Sequence, residues 1–215
     1  MKLIDAIKNE RGNPFEIPDC LRDDLPELFK ELGFKTGAEI GVAAGYNLEL
    51  YCKAGFKMYG IDPYIDYEDD RFRPLSKLSR LLHRNIDNVD KVYDLAIKKL
   101  SSYSNCTLIK KMSMDALADI PDQSLDFVYI DGNHTFGYVA MDLTKWSQKV
   151  RKGGIIAGHD YYSLKGDKRI RQVGPAVDGF VKSFNFDNWY ILGLRNPVPG
   201  YRTDEDLSFM MLKHW

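Results

Sequence analysis

Asp131 and His134, three residues apart, and the adjacent pair His159 and Asp160 are the residues whose types and spacing most directly suggest chemistry. An imidazole with an ordinary pKa of about 6.5 can accept a proton at neutral pH, so either histidine suits general-base removal of a hydroxyl proton. Alternatively, Asp131 and Asp160, joined by His159, offer donors to a divalent cation such as magnesium, which would acidify a bound hydroxyl. Magnesium prefers oxygen donors, and these two segments hold no third evident carboxylate. Both mechanisms stay open at this point. An isolated histidine is usually a loop side chain that hydrogen-bonds backbone, and His83 and His214 are read that way.

A second group is Glu39-Ile40-Gly41-Val42-Ala43-Ala44-Gly45. Its glycines fall where a strand must turn sharply into a helix. Missing β-carbons let a ligand approach the backbone, and the following helix offers free N–H groups to an anion. Asp62 ends the next apolar run about 20 residues on, where a carboxylate can accept both hydroxyls of a ribose. A nicotinamide-dependent oxidoreductase would share these features, but its usual G-x-G-x-x-G differs from the spacing Gly41-x-x-x-Gly45 found here.

Such groups can converge only if several strand ends meet along one edge. The chain reads as alternating helix and strand, which implies a parallel sheet covered on both faces. Leu25, Leu28, Phe29 and Leu32 predict a helix stopped at Gly33, and GAEIGVAAGYN predicts a strand, a turn and a helix through Leu48, Leu50 and Tyr51. KMYGIDPY is a second strand broken by Pro63. Residues 64–104 form an excursion with helices expected at Leu75, Leu78 and Leu82 and at Ile86, Val89, Tyr93, Ile97 and Leu100. CTLIKKM, LDFVYIDG and GGIIAGHD are three further short strands, the middle one buried on both faces. Helices carrying Val139, Leu143, Trp146 and Val150, and Val173, Val177, Val181 and Phe184, flank the third of these; WYILGL and LSFMMLKHW supply the last two strands.

Composition narrows the function classes. The 215 residues are 44% apolar and 28% charged, as expected of one globular core, so a single unit over 1–215 with a helical insertion at 64–104 is expected. Thirty basic and thirty-one acidic side chains leave a formal net charge of −1, so no overall field draws the chain to nucleic acid or an anionic membrane. Cys20, Cys52 and Cys106 are scattered and unpaired in sequence, suggesting neither a disulfide framework nor a zinc site. The absence of a long apolar run gives no membrane span, and a cytoplasmic location is the expectation. The basic run Lys165, Lys168, Arg169 and Arg171 reads as a solvated loop, or as a lid over an acidic substrate. Tyr161 and Tyr162 either line a pocket or close the sheet edge.

The segments GAEIGVAAGYN, YGIDPY, MSMDALADIPDQSLDFVYIDGNHTFGYVAMDLTKW and RKGGIIAGHDYY together resemble the class I S-adenosylmethionine-dependent methyltransferases, in particular a small-molecule branch with YIDG-x-H and GG-x-I-x-G-H-D-Y strands. The likeness runs from about Gly37 to Phe180. It implies an α/β, doubly wound, Rossmann-like, seven-stranded sheet with the last strand antiparallel. It also implies S-adenosylmethionine as cofactor: Glu39, Gly41 and Gly45 in the cofactor turn, Tyr46 or Asn47 near the methionine end, Asp62 at the ribose, Ser113 and Asp115 near the adenine, and Asp131 beside the sulfonium. The catalytic set would be Asp131, His134, His159 and Asp160, with Asp131 and Asp160 as the metal ligands if magnesium is used. Ala43 stands where many relatives place glycine. The expected reaction is methylation of an oxygen of a small sugar-like or other hydroxylated metabolite. The expected partners are that acceptor and, for an oligomer, further copies of the chain. The rival reading is a non-catalytic S-adenosylmethionine-binding module, which turnover of any acceptor would exclude.

Overall fold

The computed structural model describes residues 2–65, 89–168, 170 and 172–215. The helix expected at Leu75, Leu78 and Leu82 lies outside them, as do His83, Ile86, Arg169 and Arg171.

Eight strands form one sheet: β1 (Phe15–Ile17), β2 (Thr36–Ile40), β3 (Lys57–Ile61), β4 (Cys106–Ile109), β5 (Leu125–Ile130), β6 (Val150–Ser163), β7 (Tyr190–Leu192) and β8 (Asp206–Leu212). Their order is β1-β7-β8-β6-β5-β2-β3-β4. β8 runs antiparallel to both β6 and β7, while the other pairings are parallel. The sheet is thus doubly wound with an antiparallel last strand, as expected, but it has eight strands rather than seven. The additional one is β1. With three residues between Pro14 and Pro18, it is too short to show alternation in the sequence, and it is held by its partner: Phe15 N–H donates to Trp189 O at 2.8 Å and Trp189 N–H to Gly12 O at 3.0 Å. β6 is also longer than expected, continuing through Ser163.

Helices α1 (Leu3–Asn9), α2 (Leu25–Glu31), α3 (Tyr46–Lys53) and α4 (Val89–Leu100) pack with one core cluster, and α5 (Phe136–Lys149) and α6 (Val173–Ser183) with the other. In the first, Phe29 and Phe127 rings lie 4.3 Å apart, with Phe34, Tyr51 and Phe56 around them. In the second, Val139, Leu143 and Trp146 of α5 lie buried in the same cluster as Val177 and Val181 of α6. α2 ends at Gly33 with φ 73°, as its sequence implied. On α4 the buried face is Val92, Ala96 and Leu100, and Ile97 is exposed. Every residue of β5 except Asp126 is buried, which explains its continuous apolar run.

The strand order reverses at β2 and β5. β2, β3 and β4 lead one way across the sheet, and β5 and β6 the other, so a crevice opens beyond the carboxyl ends of β2 and β5. There the backbone is closely constrained. Asp131 N–H donates to Ile40 O at 2.8 Å and Gly41 N–H to Ile61 O at 2.8 Å, while a β-carbon on Gly41 would overlap the Asp131 carbonyl. Gly41 also has φ 88°, a region costly to any residue with a β-carbon. Gly41→Ala is therefore expected to destabilise the protein by about 3 kcal/mol or more, read by urea denaturation. An unchanged midpoint would show that the two segments can separate freely.

Candidate functional site

The turn after β2 is built around Asp62. Its Oδ2 accepts hydrogen bonds from the backbone N–H groups of Val42 and Ala43, both at 3.0 Å, and its Oδ1 accepts from Tyr64 N–H at 2.8 Å. Tyr64 OH donates to Ala43 O at 3.0 Å. Burial raises the Asp62 carboxyl despite these bonds. The residue read as a ribose ligand thus also braces the glycine turn, a role its position at a strand end did not reveal. Ala43 takes φ 46°, a left-handed conformation costing about 1 kcal/mol. The turn still closes, with Gly45 N–H donating to Val42 O at 2.8 Å.

Glu39, 1% exposed, points one carboxylate oxygen at Asn47, whose Nδ2 donates at 2.9 Å; the other oxygen, Oε2, is buried without a partner. Burial pushes this carboxyl upward, Asn47 opposes, nearby Asp131 and Asp62 reinforce, and Arg22 opposes. Gly45, at φ 78°, precedes α3, whose start carries no side-chain cap. Tyr46 is half exposed, with the Lys99 ammonium 3.9 Å from its ring.

On the other side of the crevice, Asn133 Oδ1 accepts from Thr135 N–H and Oγ1, each at 2.9 Å, in a turn that starts α5 and sets the loop carrying Asp131 and His134. The ladder between β6 and β8 is irregular between Gly158 and Tyr162, and Asp160 there has φ 62°. Such a bulge re-aims side chains. His134 Nε2 lies 2.7 Å from Asp160 Oδ2 and 3.7 Å from Asp131 Oδ1; His159 Nδ1 lies 2.9 Å from Asp160 Oδ1 and 4.0 Å from Asp131 Oδ2. All four expected residues therefore converge. Burial opposes protonation of His134, but the adjoining carboxylates of Asp131 and Asp160 outweigh it and push the imidazole up to about 10. His159 is raised by Asp160 and Asp131 against the same burial. Burial would raise Asp160, yet the two imidazoles hold its carboxyl well below the usual range.

Asp131, His134 and Asp160 each present one ligand atom, all within 4.8 Å of one another. Despite the 2.7 Å separation from Asp160, His134 Nε2 makes no aligned hydrogen bond and is buried without such a partner. The donor set of two carboxylates and one imidazole fits a divalent cation. It includes His134 rather than His159, and the nitrogen donor suits manganese or iron(II) better than magnesium.

Two functional candidates escaped the sequence reading. Asp142, on the buried side of α5, accepts a short hydrogen bond from Ser113 Oγ, which in turn accepts one from Trp146 Nε1 at 2.8 Å. Its signal was an acid at helical spacing within the stripe Val139, Leu143 and Trp146. Arg22, in a 3-10 turn after β1, reaches Asp131 across the sheet, Nη1 lying 3.8 Å from Oδ2. Nothing local in the sequence marks it. Asp115 is exposed at the start of a short 3-10 turn.

Burial raises Asp142 to about 6, only partly offset by Ser113. A carboxyl raised in the folded state favours folding while protonated, so stability is lost as the pH rises from the unfolded value near 4 through about 6. Asp142→Asn, which retains an acceptor for Ser113, should raise stability at pH 7.5 by roughly 3 kcal/mol and leave it little changed at pH 4, measured by denaturant titration at both values. An equal effect at both would show that Asp142 does not titrate in this window.

Residues 36–161 match the family described as a methyltransferase domain. A curated, uncharacterised protein of Sinorhizobium fredii (strain NBRC 101917 / NGR234) is 28% identical over 87 residues, which are 40% of this chain and 10% of that protein. This chain thus spans about a tenth of that relative. Among solved structures, the O-methyltransferase from Bacillus cereus in complex with SAH superposes with a TM-score of 0.58 at 13% identity, covering 89% of this chain and 80% of that one. TomG from Streptomyces achromogenes, an O-methyltransferase of tomaymycin synthesis solved with SAM, gives 0.56 at 11% identity, covering 89% and 79%. An rRNA methylase from Streptococcus thermophilus gives 0.58 at 12%, covering 89% and 95%. At these identities the likeness is one of fold.

Proposed function

This chain belongs to the methyltransferase-domain family, and on that premise we propose that it transfers the methyl group of S-adenosylmethionine to an oxygen of a small hydroxylated metabolite, such as a sugar-like compound. The observation that carries this reading is the convergence of Asp131, His134, His159 and Asp160 beside the glycine turn, with Asp131 in backbone contact with it.

In the proposed reaction the acceptor oxygen forms a bond to the methyl carbon, the sulfur–methyl bond breaks, and its electron pair stays on sulfur, turning the sulfonium into a thioether. The hydroxyl proton must go to a base. We assign this role to His159: Asp160 lies 2.9 Å from Nδ1 and orients the ring, which leaves Nε2, buried without a hydrogen-bond partner, as the nitrogen to take the proton. Glu39, the Gly41–Gly45 turn, Asp62 and Ser113 would hold the cofactor, with Asn47 Nδ2 fixing Glu39 at 2.9 Å. Asp131, His134 and Asp160 would hold a divalent cation. When bound, such a cation supplies a Lewis acid that lowers the pKa of an acceptor hydroxyl. Among the described residues, no helix is long and apolar enough to cross a membrane.

Asp160→Asn removes a charge from both histidines. S-adenosylhomocysteine release, measured against a panel of sugars, polyols and phenols, is expected to fall at least about 100-fold in this variant while cofactor binding stays within about threefold. Manganese should raise the melting temperature of the unsubstituted protein and do so much less for the variant. Unchanged turnover would remove Asp160 from the mechanism.

A further inference from the structure

Beyond the carboxyl end of β6 the chain forms a cavity of about 490 Å³ that takes no part in the reaction proposed above. Tyr161, Tyr162 and Ser163 of β6 line one side, Gly174 and Asp178 of α6 another, and Arg195, three residues past β7, a third. These walls are held in place. Tyr161 packs edge-on against Trp189 with ring centres 5.2 Å apart, and a β-carbon on Gly174 would come within 2.8 Å of the Tyr161 carbonyl oxygen. After β6 the chain folds back, Asp167 N–H donating to Ser163 Oγ at 3.0 Å and Leu164 N–H to Glu205 O at 2.8 Å.

The position of the cavity follows from the sheet. The glycine turn lies beyond β2, the four catalytic candidates beyond β5 and β6, and the cavity beyond β6 and β7, in that order along the carboxyl edge. An acceptor must meet the methyl carbon from the side opposite the sulfur, which is the cavity side of the catalytic group. Tyr162 is two residues past Asp160, at most about 7 Å along the chain.

The chemistry of the walls selects the ligand. Asp178 Oδ1 accepts from Tyr161 OH at 2.9 Å, and Glu16 accepts from Arg195 Nε at 2.5 Å and from its backbone N–H at 2.9 Å. Asp167 and Lys168, also on the wall, are of opposite sign. An anion would therefore find little net attraction here, with Asp178 and Glu16 opposing it. Asp178 Oδ2 and Arg195 Nη1 and Nη2 nevertheless make no protein hydrogen bond among the described residues, and Tyr162 is 42% exposed. Open donors and acceptors beside an aromatic ring suit the vicinal hydroxyls and the C–H face of a neutral pyranose. The volume is that of an ordinary small-molecule site, about 300–1,000 Å³.

We propose that this cavity is a subsite for a second, neutral sugar ring of the acceptor, so that the compound methylated is a glycoside of at least two rings, one at His159 and the next against Tyr162. This rests on the proposed methyltransferase reading and narrows its acceptor.

The test is saturation-transfer NMR on the full chain with neutral disaccharides of hexose, 6-deoxyhexose and N-acetylhexosamine type, their monosaccharides, and glucose 6-phosphate and glucuronic acid as anionic arms. The unsubstituted protein, Tyr162→Ala and Tyr162→Phe are compared, and each is also titrated with S-adenosylhomocysteine. At least one neutral disaccharide is expected to bind about 10-fold or more tightly than its monosaccharides and than either anion. Tyr162→Ala should weaken it by about 10-fold, as loss of the buried ring face implies, while Tyr162→Phe, which keeps the ring, stays within about threefold. S-adenosylhomocysteine affinity, which also reports an intact fold, should stay within about twofold in both variants. Binding of the anions alone, equal binding of mono- and disaccharides, no disaccharide signal, or indifference to Tyr162→Ala overturns the proposal. Disaccharide binding that Tyr162→Ala removes, in a protein that does not bind S-adenosylhomocysteine, supports the sugar subsite and overturns the methyltransferase reading instead.

Discussion

Between Gly41 and Asp131 the backbone passes so closely that no side chain fits, and the two segments that meet there carry the proposed cofactor turn and the proposed catalytic acid. The contact exists because β2 and β5 are neighbours although about 85 residues separate them, the consequence of a sheet whose order reverses at this pair. Ile40 O accepts from Asp131 N–H, so the position of the acid follows from the ladder itself and not from a flexible loop. A fixed distance between methyl donor and acceptor site is what methyl transfer requires, since misplacement of reacting groups by an ångström is costly in rate.

The same edge gathers an unusual load of acid. Glu39, Asp62, Asp142 and Asp160 are all buried, and each is managed differently. Asp62 is spent on backbone N–H groups of the turn, Asp142 on Ser113, and Asp160 on two imidazoles. Glu39 is only half satisfied. A buried carboxylate oxygen without a partner is expensive, and of these four acids Glu39 keeps such an oxygen, Oε2, open to a cationic or hydrogen-donating group of the proposed ligand. The sulfonium and ammonium of S-adenosylmethionine are such groups.

Much of this architecture was legible in the residues because its signals are local. The glycine turn, the helix stop at Gly33, the doubly buried β5 and the two Asp–His pairs are each set by neighbours in sequence. What escaped depends on distant partners. β1 is three residues long and is defined by β7, about 175 positions later. Arg22 acquires meaning only when β1 docks at the far edge, and Asp142 only when Ser113 and Trp146 meet beneath α5. The sequence pattern placed Asp62 at the right strand end, but its three backbone bonds follow from the shape of the turn. The grouping of His134 with Asp131 and Asp160 likewise depends on the irregular β6–β8 pairing around Asp160, which strand periodicity does not encode.

The crevice beyond β2 and β5 is proposed to take S-adenosylmethionine and not a nicotinamide dinucleotide. Isothermal titration of the full chain with S-adenosylmethionine and, separately, with NAD tests it most directly. Micromolar binding of the sulfonium, equivalent to about −8 kcal/mol, with no measurable heat from NAD, is the expected result. Binding of NAD without binding of S-adenosylmethionine would contradict it.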